Sequence, residues 1–422
     1  MAARPRSSKE KRGAGSDLRG ATRLAVEATA SVVDVAEAMH QAIGAGPAVL
    51  GRPLEGITRL LTGPVYGSVR AVAKLVGTSL DRALAALSPL LGEQVPGPER
   101  EALLAALNGV VGDHLVEAGN PLAIEMSLRR DGVPLELEPE ALRGALPRAG
   151  RRRLLVLVHG SCLSDRQWTR QGHDHGAALE RDRGFTAVYL FYNSGLHISV
   201  NGRALAALLE RLVAAWPVPL DELVLLGHSM GGLVARSACH FGEAGAHAWR
   251  RKLRKLVCLG SPHHGAPLER GGGWVDLLLG VSRYSAPLAR VGKLRSAGVT
   301  DLRFGNVLDE HWEGLDRFGH RRDARTPLPL PAGVQCYAIA GSRGASGRTL
   351  PGDGLVPVDS ALGRHRDPDL ALAFPKSHQW VAAGAAHLDL LDRADVYRKL
   401  RTWLSPSRRP GAGNRRRAAT KR

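Results

Sequence analysis

Hydrophobic positions follow two rhythms along the chain. Up to about residue 120 they recur every three or four places. Val65, Val69, Val72, Val76 and Leu80 lie on one face of a helix at those spacings. A second helix is expected to start at Pro98-Glu99, to carry Leu103, Leu104, Leu107, Val111 and Leu115, and to stop at Gly119 before Asn120-Pro121. Residues 21–119 thus read as a helical segment, either a small domain or helices packed on the remainder of the chain. The same stripe would suit an amphipathic helix on a membrane surface, although a core-facing stripe is the commoner use of the pattern.

From 122 to 137 the period shortens to two. Ile124, Met126 and Leu128 alternate, as do Val133, Leu135 and Leu137, with Asp131-Gly132 between them. Alternation around Asp-Gly predicts a β-hairpin. Short uninterrupted apolar runs come next: Leu154–Val158, Ala187–Tyr192, Leu223–Leu226, Leu256–Leu259 and Val334–Ala340. Such runs suit strands covered on both faces. Ala204–Trp216 is rich in Ala and Leu at helical spacing. Strands separated by helices predict a mostly parallel α/β sheet, with the hairpin as its antiparallel edge.

Residues 268–333 break this rhythm and are too long for an ordinary connection. They carry Trp274, Leu277, Leu278, Leu279, Tyr284 and Leu288, and read as an inserted cap or lid. Trp274 and Leu278 are its expected substrate-binding residues. The domain plan is then a basic tail over 1–20, the helical segment 21–119, an α/β domain over 120–404 containing the insertion, and a second basic tail over 405–422. No internal repeat is seen.

Composition changes this picture in three places. Hydrophobic residues at 44% and charged residues at 23% exclude a wholly disordered chain of 422 residues. The net charge of +18 suggests nucleic acid until it is located. Residues 1–20 hold +4 and residues 405–422 hold +7, so the body is not strongly basic. Basic ends of this kind are usually solvated tails, with weak contact to an anionic membrane or nucleic acid as the other use. The four cysteines, Cys162, Cys239, Cys258 and Cys336, have no paired spacing, which argues against a zinc site or a disulfide scaffold. The charged N-terminus has no apolar stretch behind it and no apolar run reaches 18 residues, so neither a secretory signal nor a membrane span is expected. The expected location is cytoplasmic, with a peripheral membrane contact open to the tails.

The strongest chemical signal is Gly227-His228-Ser229-Met230-Gly231-Gly232, placed after the apolar run 223–226 and before a helical stretch. A serine at a sharp strand-to-helix turn has its hydroxyl exposed, and small residues two places either side let the turn close. The helix start behind it offers free N–H groups and a positive dipole end to a developing oxyanion. A second element, Leu154–Val158 followed by His159-Gly160-Ser161-Cys162, ends a strand in His-Gly. An N–H after such a pair can complete an oxyanion hole with that of the residue after the nucleophile. Ser161 and Met230 are the expected donors, with Cys162 as the alternative to Ser161. The acid and base should come later in the chain, in that order. Asp353, in Gly352-Asp353-Gly354, is the expected acid and Asp359 its rival. His387, in Gly384-Ala385-Ala386-His387, is the expected base, with His378 and His365 as rivals.

These motifs in this order resemble an α/β-hydrolase of the bacterial lipase/esterase type with a GHSMGG nucleophile elbow. The resemblance runs over 121–404 and also draws on Gly260-Ser261-Pro262-His263-His264-Gly265. It implies Ser229 as nucleophile, Asp353 as acid, His387 as base, an oxyanion hole from Ser161 and Met230, and no cofactor. It is silent about 21–119 and the tails.

Other polar clusters are open to a functional reading. Gly172-His173-Asp174-His175-Gly176 looks like a metal cluster, but without further ligands it reads as a polar helix start, and no metal is expected. His263-His264 suits a structural hydrogen bond, and His228 a turn. The stretch 193–199 is either pocket lining or a polar loop with capping Asn and Ser. The expected activity is hydrolysis of a small-molecule or lipid carboxylic ester through an acyl-enzyme, with no obligate protein partner. Acyl transfer by the same machinery, and a non-catalytic scaffold binding membrane or nucleic acid through its tails, are the competing readings.

Overall fold

The computed structural model describes residues 98–146, 152–266, 296–317, 322–344 and 352–405. The stripe at 65–80, the residues Trp274, Leu277–Leu279, Tyr284 and Leu288, both tails except Ser405, and most of segment 21–119 lie outside the described residues. The described residues form two compact units. One holds 98–124 and Ser296. Its helix α1, Pro98–Glu117, begins at the expected proline and is kinked at Val111 (φ −137°, ψ 23°). Leu107, Val111 and Leu115 are buried, and Gly119 follows the helix at φ +58°.

The other unit is built on an eight-stranded sheet. Its strands are β1 (Ser127–Arg130), β2 (Val133–Pro134), β3 (Arg153–Val158), β4 (Thr186–Phe191), β5 (Glu222–His228), β6 (Leu253–Leu259), β7 (Gln335–Ser342) and β8 (Gln379–Ala383). They lie in the order β2-β1-β4-β3-β5-β6-β7-β8. Every pairing from β4 to β8 is parallel, and β1 joins antiparallel to β2 and β4. The hairpin turn has positive φ at both Asp131 (53°) and Gly132 (77°), the geometry that Asp-Gly favours. The alternation from 124 to 137 overstates the strands: β2 is only two residues long. It ends at Pro134, which cannot donate to a ladder and is tolerated at an edge.

The flanking helices are α2 (Pro139–Ala145), α3 (His175–Arg183), α4 (Ile198–Ala215), α5 (Met230–Ala244), α6 (Ala297–Asp301), α7 (Val358–Ala361) and α8 (Ala394–Trp403). Strand side chains alternate between faces. Leu155, Leu157, Val224, Leu226, Val257, Leu259 and Ile339 share one core cluster with Leu179 of α3 and Val396 and Leu400 of α8. On the strands' other face, α5 packs against β3, β5 and β6, and α4 packs on α5. The sheet is thus covered on both sides, which is why its strands read as unbroken apolar runs.

Helix α4 begins six residues before the expected Ala204. Asp301 of α6 supplies its cap, Oδ2 accepting from the Ile198 N–H (2.9 Å) and from His197 Nδ1 (3.0 Å). The described part of the expected insertion is tied down elsewhere too. Gly298 N–H donates to Gly195 O (2.9 Å), Ser237 Oγ donates to Val307 O (2.7 Å), and Arg325 reaches the carbonyls of His263 and Gly305.

Candidate active site

The carboxyl ends of the parallel strands share one edge of the sheet, where ligands bind in open α/β folds. Four segments meet there. β5 runs straight into Ser229, β3 into His159-Gly160-Ser161, β7 leads to Asp353 and β8 to His387. Ser229 adopts φ +55°, ψ −127°, a region that costs a non-glycine residue about 1–3 kcal/mol. Its N–H donates to Leu259 O (2.8 Å), pinning the turn to the neighbouring strand. Its Oγ is buried and has no hydrogen-bond partner among the described residues.

The turn closes because two residues lack a side chain. A Cβ at Gly227 would strike the Gly232 backbone, and one at Gly231 would strike the Val158 carbonyl oxygen. Gly231→Ala is therefore expected to lower stability by about 3 kcal/mol or more, read as a fall in Tm. Gly144→Ala is the control. Gly144 lies inside α2 with open space around it, so alanine there should be neutral or slightly stabilising. Equal Tm values for the two variants would mean that the elbow is not tightly closed.

His387 and Asp353 are joined directly. His387 Nδ1 donates to Asp353 Oδ2 at 2.7 Å, and the His387 N–H donates to Asp353 O at 3.2 Å. The second carboxylate oxygen accepts from the N–H groups of Leu355 (2.9 Å) and Val356 (2.8 Å). Asp353 is fully buried. Burial alone would raise its pKa, but the charge and hydrogen bond of His387 and the two backbone donors outweigh it and hold the carboxyl below its ordinary range. The rivals lie apart. Asp359 is exposed and pairs with Arg364 (3.2 Å). His378 precedes β8, at the opposite end of the sheet, and meets Cys336 O through Nδ1 (3.1 Å). The His365 ring sits 4.8 Å from that of His264.

The turn after β3 lies against the serine: a Cβ at Gly160 would be 3.0 Å from Ser229 Cβ. Ser161 and Met230 are both buried. The Cys162 N–H donates to Ser194 Oγ (3.0 Å), so the alternative oxyanion donor is already engaged. Sequence reasoning missed this use of Ser194, which braces the loop from the end of β4. It also missed Tyr192, whose hydroxyl donates to His159 O (2.9 Å) and whose ring stacks on His159 at 4.3 Å. Neither contact has a local signal. Trp168, His159, His228, Leu163 and Leu391 line a small cleft beside the elbow. Trp274 and Leu278 lie outside the described residues, so the expected acyl-binding pair has no described position.

Several other histidines among the described residues have structural partners. Asp174 caps α3 through the Ala177 N–H (2.8 Å), and His173 Nε2 meets His175 Nδ1 (2.8 Å). His263 Nδ1 accepts from Arg236 (3.2 Å). His159, His175 and His228 are buried, which pushes their imidazoles down to about 4, about 4 and about 3. In the unfolded chain they titrate near about 6.5. Between those values the unfolded state binds more protons, so stability rises with pH through this window and is lost as pH falls from about 6.5 toward 4. Tm is expected to drop steadily across that range. A flat Tm down to pH 4 would show that the rings are not held neutral.

The sheet order, its covering helices and the serine elbow at the carboxyl edge define an α/β-hydrolase fold. A family model described as a PGAP1-like alpha/beta domain matches residues 151–324. No curated protein matches the chain significantly. Among solved structures, the mature lipase BlEst2 of Bacillus licheniformis is 17% identical, covering 67% of this chain and 98% of that one at a TM-score of 0.41. The Pyrococcus furiosus esterase Pf2001 is 14% identical over 61% of this chain and 83% of its own, at 0.34. YbtT, a type II thioesterase of the yersiniabactin pathway, is 19% identical over 61% and 91%, at 0.32. Among the described residues no helix is long and apolar enough to cross a membrane.

Proposed function

We propose that the chain is a serine hydrolase of carboxylic esters that works through an acyl-enzyme. The observation that carries this reading is the 2.7 Å contact between His387 Nδ1 and Asp353 Oδ2 at the sheet edge where Ser229 is held in its strained turn. Asp353 accepts at Nδ1, so the tautomer of His387 leaves Nε2 free of a proton and able to take one from Ser229 Oγ. Oγ then bonds to the ester carbonyl carbon. The Ser161 and Met230 N–H groups are the proposed donors to the oxyanion. The His387 imidazolium returns its proton to the leaving alcohol as the C–O bond breaks. Water repeats these steps on the acyl-enzyme, releasing the acid and restoring the serine.

The test is a series of p-nitrophenyl esters of increasing acyl length, assayed with and without a fluorophosphonate. Hydrolysis should be lost in step with one-to-one labelling of Ser229. Labelling of a different residue, or turnover that survives full labelling, would overturn the proposal. Product analysis with a competing alcohol separates hydrolysis from acyl transfer.

A further inference from the structure

His387 opens a short 3-10 turn, His387–Leu391, whose Leu390 and Leu391 pack into the core cluster on the sheet while His387 itself stays at the sheet's edge. Two buried histidines from unrelated elements donate into its backbone. His228, the last residue of β5, places Nε2 3.2 Å from His387 O. His175, the first residue of α3, places Nε2 3.0 Å from Leu390 O. A carbonyl oxygen only accepts, so each ring must carry its proton on Nε2. The rest of each ring fits that tautomer. His175 Nδ1 receives the hydrogen bond of His173 Nε2 (2.8 Å). His228 Nδ1 faces Gly160, where a Cβ would be 3.2 Å away, and has no donor opposite it among the described residues.

We propose that His228 and His175 are positioning residues: they clamp the two ends of the His387 turn by donating from Nε2 to His387 O and Leu390 O, and so fix the imidazole of the base between Asp353 and Ser229. This rests on the reading of His387 as the base. The clamp would serve a step in which a misplacement of about 1 Å can cost 100-fold. It is also suited to hold still while the base changes charge. The titratable groups facing His228 are His387, Asp353 and His159, and those facing His175 are His173, Asp174 and Tyr397, whose ring stacks on it. In those surroundings burial keeps both rings neutral, so their donors stay in place while His387 takes and releases its proton. The clamp gives a purpose to His175 of the His-Asp-His sequence and to the residue before the serine.

The experiment uses matched amides in the full chain. Glutamine can place its N–H₂ near Nε2 of the histidine it replaces, whereas asparagine reaches only as far as Nδ1. His228→Gln and His175→Gln should keep kcat within about tenfold of the parent, while His228→Asn and His175→Asn should lose about 10- to 100-fold in kcat with KM little changed. The low-field proton resonance of the His387–Asp353 hydrogen bond should persist in the glutamine variants and broaden or vanish in the asparagine ones. Asparagine variants that fold and keep both kcat and the resonance would overturn the clamp, as would glutamine variants that fold yet lose both. Should an asparagine variant fail to fold, its glutamine partner decides by the same two readouts. His387→Ala separates the two levels. If it retains turnover, the reading of the base fails. If it is inactive while the asparagine variants behave as the parent, the clamp alone fails.

Discussion

Ser229→Ala is expected to abolish both ester turnover and fluorophosphonate labelling, with kcat falling by about 10⁴-fold or more. The size reflects the role: without Oγ no acyl-enzyme forms, and only direct attack by water aided by the oxyanion donors remains. Stability should hardly change. Ser229 Oγ makes no hydrogen bond with the described residues, and alanine keeps the same backbone and Cβ. The strained φ of +55° stays strained, since neither side chain relieves it. Comparison of Tm with residual rate therefore isolates the chemistry from the fold. Robust turnover by a well-folded Ser229→Ala would remove the proposed mechanism, and labelling that persists would place the reactive group elsewhere.

Much of this site can be read from the sequence because its parts are local. The elbow needs Gly227 and Gly231 within a few residues of Ser229, and the apolar run before it marks a strand buried on both faces. The strands β3 to β7 were legible for the same reason, with ends displaced by one to three residues from the apolar runs: Arg153, Glu222 and Lys255 continue the ladder beyond them, while β4 stops one residue before Tyr192 and β7 starts one residue after Val334. The long-range parts left no such trace. The cap of α4 comes from Asp301, 103 residues further on, so the polar start of the helix carried no helical signal, and Ile198 and Ser199 fell within the stretch 193–199 read as pocket lining or loop. A Cβ at Gly202 would strike Ser237 Oγ of α5, a close helix crossing that only the folded chain reveals. The clamp of His228 on His387 O spans 159 residues and that of His175 on Leu390 O spans 215. In sequence the two histidines look like a turn residue and half of a metal motif. The preference for Asp353 over Asp359 rested on its Gly-rich turn, and the surroundings of the two carboxylates differ in a way no local sequence shows. Asp353 is enclosed by three N–H donors, and Asp359 faces solvent.

That enclosure makes Asp353→Asn the second large effect. Two backbone N–H groups point at Oδ1 and the His387 ring N–H points at Oδ2, so the native carboxylate meets donors on both oxygens. An asparagine has one oxygen to offer. With its oxygen toward Leu355 and Val356, its N–H₂ faces His387, and the ring must move its proton to Nε2 to accept at Nδ1. The base then presents an N–H to Ser229 and cannot take its proton. With the amide reversed, N–H₂ faces two backbone donors in a buried site, an arrangement costing about 1–3 kcal/mol for each unsatisfied group. Either way the imidazolium formed on attack loses its counter-charge. The expected loss is about 10³- to 10⁴-fold in kcat. Asp359→Asn removes one exposed pair with Arg364 and should leave the rate within about twofold. The stability of the parent also carries the mark of Asp353. Its depressed carboxyl contributes stability above the ordinary carboxylate range and loses it as pH falls through the folded value, and Asp353→Asn should lack that component. A ranking in which Asp359→Asn is the more damaged variant, with both proteins folded, would move the acid to Asp359 and undo the assignment of the base that depends on it.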